Sequence, residues 1–167
     1  MNTKKYTAIV IALLAVTVLA VTFMNYQAKS YESQNVTQVT DATFEQEVLD
    51  SKLPVLIMAY APGCDPCAEY KPVFHKTADK NVGKVKFVAI DAQNNPGFAG
   101  MFGLQQVPAT IYMSPQGNGN YKVAGFPGAP NQEQLEKALE LLQKPDAKLI
   151  EIQIDKAPPA PEPDQGN

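Results

Sequence analysis

Two cysteines, Cys64 and Cys67, lie where the sequence predicts a turn between a buried strand and a helix. The preceding run Leu53–Tyr60 (LPVLIMAY) is almost wholly apolar, which is typical of a strand buried on both faces of a sheet. The turn itself, APGCDPC, is rich in glycine and proline. Apolar spacing over Ala68–Asp79 predicts a helix, and Lys84–Asp91 predicts a second strand. The order strand, helix, strand indicates a βαβ unit.

The second half of the chain predicts a short helix, two strands, a long helix and a weak edge strand. The short helix or turn lies at Asn95–Gly103, and the strands lie at Ala109–Ser114 and Tyr121–Phe126, joined by the turn sequence PQGNGN. Apolar residues recur at helical spacing through Asn131–Gln143, and Leu149–Ile154 alternates weakly. We therefore expect an α/β fold with a central mixed β-sheet flanked by helices.

Four side chains have local roles that the pattern predicts. Thr40 and Asp41 are typical of the start of a helix. Asp91 ends a strand and is expected to order the following turn. His75, the only histidine, is expected to be an exposed residue of the helix, because histidine is seldom fully buried.

The N-terminal part of the chain differs from the middle. Lys4 and Lys5 precede Ala8–Met24, which carries no charge and is short for a membrane-spanning helix but long for the core of a signal peptide. A cleaved signal peptide is the alternative; we favour an uncleaved signal anchor. Lysines before the segment predict a cytoplasmic N-terminus. The expected location is therefore the bacterial inner (cytoplasmic) membrane, with a single pass and a periplasmic domain.

These patterns divide the chain into five parts. They are a signal anchor or transmembrane helix at 1–27, a linker at 28–35, a globular domain at 36–144, an extra strand at 145–156 and a disordered tail at 157–167. The tail, APPAPEPDQGN, is acidic and rich in proline, so it cannot bury enough apolar surface to fold alone.

Composition narrows the classes of function. The formal net charge is −3, and no lysine cluster with interleaved aromatic residues is present, so we expect no nucleic-acid partner. The two cysteines could instead form a static disulfide, but the loop they would close is too short to stabilise much. They could also supply half of a zinc site, although a tetrahedral site needs four ligands. We expect no metal and no cofactor.

Five features in the right order resemble the thioredoxin family, over about Val36–Gln143. The first is a C-x-P-C motif after a buried strand. The full set is Cys64-Asp65-Pro66-Cys67, Pro72, Ile90-Asp91 followed by Asn95-Pro96-Gly97, Val107-Pro108-Ala109-Thr110, and Gly125. The resemblance implies a thioredoxin fold and a cis peptide before Pro108. It also implies protein-disulfide oxidoreductase activity on proteins that contain cysteine.

The resemblance also assigns roles to residues. Cys64 and Cys67 would be the catalytic, redox-active disulfide, with Asp65 and Pro66 modulating it. Val107, Pro108 and Gly125 would bind the substrate. The helix N-terminus favours a thiolate at Cys64, and the second thiol resolves the mixed disulfide.

Four positions depart from the usual family pattern. Gly63 replaces a tryptophan, Met58 replaces a buried aspartate that relays protons, Tyr60 replaces another tryptophan, and Ala68 replaces a lysine. In these respects the chain is similar to extracytoplasmic members of the family. The acidic residue inside the motif, C-[DE]-P-C, resembles the motif of anchored thioredoxins that reduce apocytochrome cysteines. A membrane redox partner is then expected to supply electrons.

Asp65 bears on the direction of the reaction. Its charge beside Cys64 opposes the thiolate, and a less stable thiolate makes the dithiol a better reductant, so we favour a reductase. An oxidase with a quinone-coupled partner remains open. So does a thioredoxin-fold binding or assembly module, in an envelope, secretion or conjugation complex, with little redox turnover.

Overall fold

The computed structural model describes residues 3–29, 31–144, 147 and 149–154. The chain divides between Tyr31 and Glu32 into two compact units. The first contains helix α1 (Thr3–Lys29), whose described apolar side chains are exposed. Within the described ranges, no helix is both long enough and apolar enough to cross a membrane. The predicted tail at 157–167 and parts of the predicted segment 145–156 lie outside the described residues.

The second unit alternates strands and helices. Its elements in order are β1 (Val36–Val39), a π-helical turn (Glu45–Leu49), β2 (Val55–Tyr60), α2 (Asp65–Lys80), β3 (Lys86–Asp91), α3 (Pro96–Met101), β4 (Ala109–Gly117), β5 (Asn120–Pro127), α4 (Gln132–Leu142) and β6 (Ile150–Gln153).

The strands form one six-stranded mixed sheet in the order β1-β3-β2-β4-β5-β6. Strands β1, β3 and β2 are parallel, as the βαβ pattern requires, whereas β4, β5 and β6 pair antiparallel. Strand β2 lies at the centre, between β3 and β4. This confirms the predicted fold class, a thioredoxin fold with a mixed sheet flanked by helices.

The two faces of β2 contribute to two different hydrophobic cores. Val55 and Ile57 pack on one face with Phe44, Phe98 and their neighbours from the π-helical turn and α3. Leu56 and Met58 pack on the opposite face. That second core is completed by side chains of α2 and α4, which are Tyr70, Phe74, Ala78, Leu135 and Leu139. The period of two along a strand explains this division.

Some boundaries differ from the sequence prediction. Strand β1 was not predicted, because only Val39 of its four residues is buried and the alternation is too short to recognise. Helix α2 begins at Asp65, before the predicted Ala68, because the cysteine-containing turn is already helical. The weakly predicted strand near Leu149 is present as β6, which pairs with β5.

A helical segment follows Thr40 and Asp41 as predicted, in the π-helical turn, but the Asp41 side chain bonds to a different helix, α3. The Asp41 carboxylate accepts hydrogen bonds from the backbone N–H groups of Gly97 and Phe98, at 2.9 and 2.8 Å, in the first turn of α3. Asn95 Oδ1 in turn accepts the Asp41 N–H at 2.8 Å. Leaving such buried donors without an acceptor would cost about 1–3 kcal/mol each. Asp91 orders its turn as predicted, by accepting the Gln93 N–H at 3.0 Å.

The segment Glu32–Asn35, here named the strap, is bonded along helix α2. The backbone N–H of Ser33 donates to His75 Nδ1 at 2.8 Å, and the Ser33 hydroxyl donates to Asp79. Asn35 Nδ2 also donates to Asp79, at 2.7 Å. Glu32 forms an ion pair with Lys71. The strap is thus part of the folded domain.

The prediction that His75 is exposed is wrong, because the strap covers it. Only 3% of His75 is exposed, and its Nε2 has no hydrogen-bond partner among the residues that the structure describes. Burial lowers the pKa of His75, and the Lys71 cation lowers it further. The Glu32 and Asp79 carboxylates act in the opposite direction.

We predict that the free energy of unfolding decreases as the pH is lowered, because His75 is buried with a lowered pKa. An unfolded histidine has a pKa of about 6.5, so the unfolded chain binds the proton more readily than the folded chain does. The stability is therefore complete above about pH 6.5 and declines as the pH falls from there through the lower folded-state pKa. The difference between the free energies of unfolding in urea at pH 7.5 and at pH 5.5 measures this dependence. The variant His75→Gln should lose most of this dependence; an unchanged dependence in the variant would contradict the prediction.

Candidate active site

Cys64 and Cys67 form a disulfide across the start of helix α2, with their Cα atoms 5.2 Å apart. Cys64 is the N-cap residue, and its sulfur accepts the backbone N–H of Cys67 at 3.2 Å. Cys64 is partly exposed, whereas Cys67 is buried, with 5% of its surface accessible. Cys64 is therefore the sulfur that a protein substrate can reach, and Cys67 is the sulfur that can resolve an intermediate from inside.

Cys64 lies at the N-terminus of helix α2, where the helix has a partial positive charge. The unpaired N–H groups and the macrodipole of α2 favour a thiolate there. Pro66 occupies the first turn, where its missing N–H costs no hydrogen bond. Asp65, also in the first turn, is exposed and adds a negative charge next to Cys64. The dipole and Asp65 thus act on the thiolate in opposite directions.

The sheet places the predicted substrate-binding residues at the same end as the cysteines. The Val107–Pro108 peptide is cis, and the next residue, Ala109, pairs with Ala59 near the end of β2. Ala109 also pairs with Pro127 at the end of β5. Since β2 and β5 run in the same direction, the turn after β2, the start of β4 and the end of β5 meet at one edge.

Gly125 and the start of β4 also line a groove of about 400 Å³ at this end of the sheet. The groove is mostly apolar and includes Thr110 and Phe126. Thr110 Oγ1 is hydrogen-bonded to the hydroxyl of Tyr70 at 2.9 Å, and both residues are buried. This bond connects the redox helix α2 directly to the strand that follows the cis peptide.

A second cavity, of about 250 Å³, lies beside the disulfide. Met58, Tyr60 and Lys71 line it together with both cysteines. Met58 is 2% exposed, so an apolar side chain occupies the position where the family usually has a buried carboxylate. The Tyr60 hydroxyl donates to Gln38 Oε1 at 3.1 Å. Burial raises the pKa of Tyr60, and so does the nearby Asp91 carboxylate, which keeps the hydroxyl protonated as a donor.

The backbone explains the glycine at position 63. Gly63 has φ +73°, in the left-handed region that side chains other than glycine rarely adopt. A tryptophan, the usual family residue, would be strained at this φ.

Two charged residues, Lys71 and Glu32, were not predicted from the sequence to belong to this site. Lys71 lines the cavity beside the cysteines, and Glu32 of the strap pairs with it. The signal for Lys71 was present, because a residue four positions after Cys67 lies on the same face of a helix. No local pattern indicates Glu32, since the contact joins residues far apart in the chain.

Comparison with known proteins identifies the family. The thioredoxin family model matches residues 35–141. Thioredoxin 1 of Nostoc sp. is 39% identical over 103 residues, which are 62% of this chain and 92% of that protein. The thioredoxin of Synechocystis sp. is 36% identical over the same length and coverage. The crystal structure of chloroplastic thioredoxin z matches with a TM-score of 0.59 at 18% identity, covering 68% of this chain and 98% of that chain.

The last comparison shows the fold, and the family match covers most of the domain. Within that match lie a partly exposed and a buried cysteine at a helix N-terminus, and the cis peptide at the same end of the sheet. The chain therefore belongs to the thioredoxin family and is a protein-disulfide oxidoreductase whose redox pair is Cys64 and Cys67.

Proposed function

We propose that the protein reduces disulfides of other proteins outside the cytoplasm, and that its N-terminal segment holds it at the bacterial inner membrane. The observation that carries the direction is Asp65, an exposed carboxylate in the first turn of α2 beside Cys64. Its charge disfavours the thiolate that the helix N-terminus would otherwise stabilise. A reduced form that is less stabilised gives up its electrons more readily.

The exchange proceeds in two displacements. The Cys64 thiolate attacks one sulfur of the substrate disulfide, and the other substrate sulfur leaves as a thiolate. The Cys67 thiolate then attacks the Cys64 sulfur, which releases the second substrate sulfur and leaves the Cys64–Cys67 disulfide. Two electrons pass to the substrate. A membrane redox partner must return two electrons to the pair before the next turnover.

The N-terminal segment supports the proposed location. Ala8–Met24 is uncharged and follows Lys4 and Lys5, the arrangement expected for a cytoplasmic N-terminus. The large apolar side chains that the structure describes between Ile9 and Met24 are each 53–70% exposed. Apolar surface of this extent marks contact with a membrane or another protein.

We predict that Cys64 is accessible from outside the cell. After mild reduction, a maleimide that cannot cross the inner membrane should label the full chain in intact cells. The double variant Cys64→Ser/Cys67→Ser, which has no cysteine, should remain unlabelled. Labelling that needs lysis of the inner membrane would place the domain in the cytoplasm and contradict the proposal.

We predict a reducing potential for the pair. Equilibration of the full chain, in detergent, with dithiothreitol buffers should give a value near −270 mV, as roughly expected for a thioredoxin-type reductase. Asp65→Asn should raise the potential, because the thiolate loses a nearby negative charge. Glu69→Gln, an exposed acid one turn further along α2, is the matched control and should shift it less. A wild-type value near about −120 mV would indicate an oxidant instead.

The alternative of a binding module rests on Met58, which leaves the site without the usual buried proton relay. We predict that Cys67→Ala traps substrates as mixed disulfides at Cys64, because the resolving sulfur is absent. Gels run without reductant would detect these species. If the same proteins copurify equally with the variant that lacks both cysteines, binding without exchange is the function.

A further inference from the structure

One face of helix α2 carries both Cys67 of the redox pair and the residues that contact the strap. Cys67, Lys71, His75 and Asp79 are spaced by four residues, so they follow one another along that face. The strap contacts the last three of these residues in order, through Glu32, Ser33 and Asn35. Lys71, the residue of this row next to Cys67, is therefore the one that pairs with Glu32.

Lys71 brings a positive charge to the cavity beside the disulfide. Of the described residues that line this cavity, only Asp65 and Lys71 are charged. The Lys71 side chain is 36% exposed, so water screens its charge only in part. A cation that lines the same cavity as the cysteines favours their thiolate form. Without a partner, Lys71 would stabilise the reduced pair and make it more oxidising.

Glu32 offsets that charge from the strap. Its carboxylate is hydrogen-bonded to the Lys71 ammonium and forms an ion pair with it. This contact lowers the pKa of Glu32, so the carboxylate is ionised at neutral pH. The pair presents less net positive charge to the cysteines than free Lys71 would.

We propose that Glu32 is a positioning residue for the redox reaction: by pairing with Lys71 it reduces the stabilisation of the cysteine thiolate and shifts the Cys64–Cys67 couple toward the reducing side. The step it affects is resolution of the mixed disulfide. The Cys67 thiol loses its proton to solvent, and the thiolate attacks the Cys64 sulfur. The bond from Cys64 to the substrate breaks, and the substrate sulfur leaves with the electron pair. Lys71 keeps its proton throughout.

The test measures the equilibrium of the full chain with glutathione. Glu32→Gln should shift it about two- to fivefold toward the dithiol, which is within the range for exposed ion pairs, since the Glu32 side chain is 67% exposed. Lys71→Met should shift it the other way. In the Lys71→Met background, Glu32→Gln should lose more than half of its effect, since the two act as a coupled pair. The pH dependence of thiol alkylation should show a lower cysteine pKa in Glu32→Gln.

Two controls separate charge from structure. Glu136→Gln removes the partner of Lys80 at the far end of α2, an ion pair of 2.6 Å, and should leave the equilibrium unchanged. Ser33→Ala removes a strap contact to Asp79 without changing charge, and should also leave it unchanged. An unshifted Glu32→Gln, an equal shift in either control, or a full shift in the Lys71→Met background would overturn the proposal. Glutathione serves as the partner, so the result depends on neither the location nor the direction proposed above.

Discussion

The burial of strand β2 on both faces is the constraint on which the rest of the structure depends. Its residues from Val55 to Ala59 are at most 2% exposed. A strand buried in this way needs hydrophobic cover on each side, which α2 and α4 supply on one face and α3 with the π-helical turn on the other. The chain leaves this central strand at its carboxyl end, where a turn leads directly into α2. The redox pair is thereby placed on a rigid element at the edge of the sheet.

Sequence alone predicted the parts of this structure that repeat a pattern. The apolar run before Cys64 and the spacing in Asn131–Gln143 are long enough for period and burial to agree. The motif residues identified the redox pair and the cis peptide because their order along the chain resembles a known family. The π-helical turn and strand β1 are too short for any period to be recognised.

Contacts between distant polar residues could not be predicted. His75 was expected at the surface because histidine usually lies there. In the structure it is buried, and its Nδ1 accepts a hydrogen bond from the strap, which is distant from it in sequence. The role of Asp41 was missed for the same reason, since its partners Gly97 and Phe98 belong to another helix. The Glu32–Lys71 pair likewise joins residues that no local pattern relates. Such contacts depend on the completed fold, whereas propensities depend on neighbours in sequence.

Strand β6 pairs with only part of β5 at the outer edge of the sheet. It pairs with Asn120–Val123 of β5 and so covers the half of that strand far from the cysteines. In the part of the chain that the structure describes, β6 does not extend over Ala124–Pro127, the half that ends beside the cis peptide. Exposed strand edges recruit other chains, and proteins commonly cover or shorten them to avoid aggregation. Among the described residues, the pairing of β6 is thus confined to the half of β5 that lies far from the redox pair.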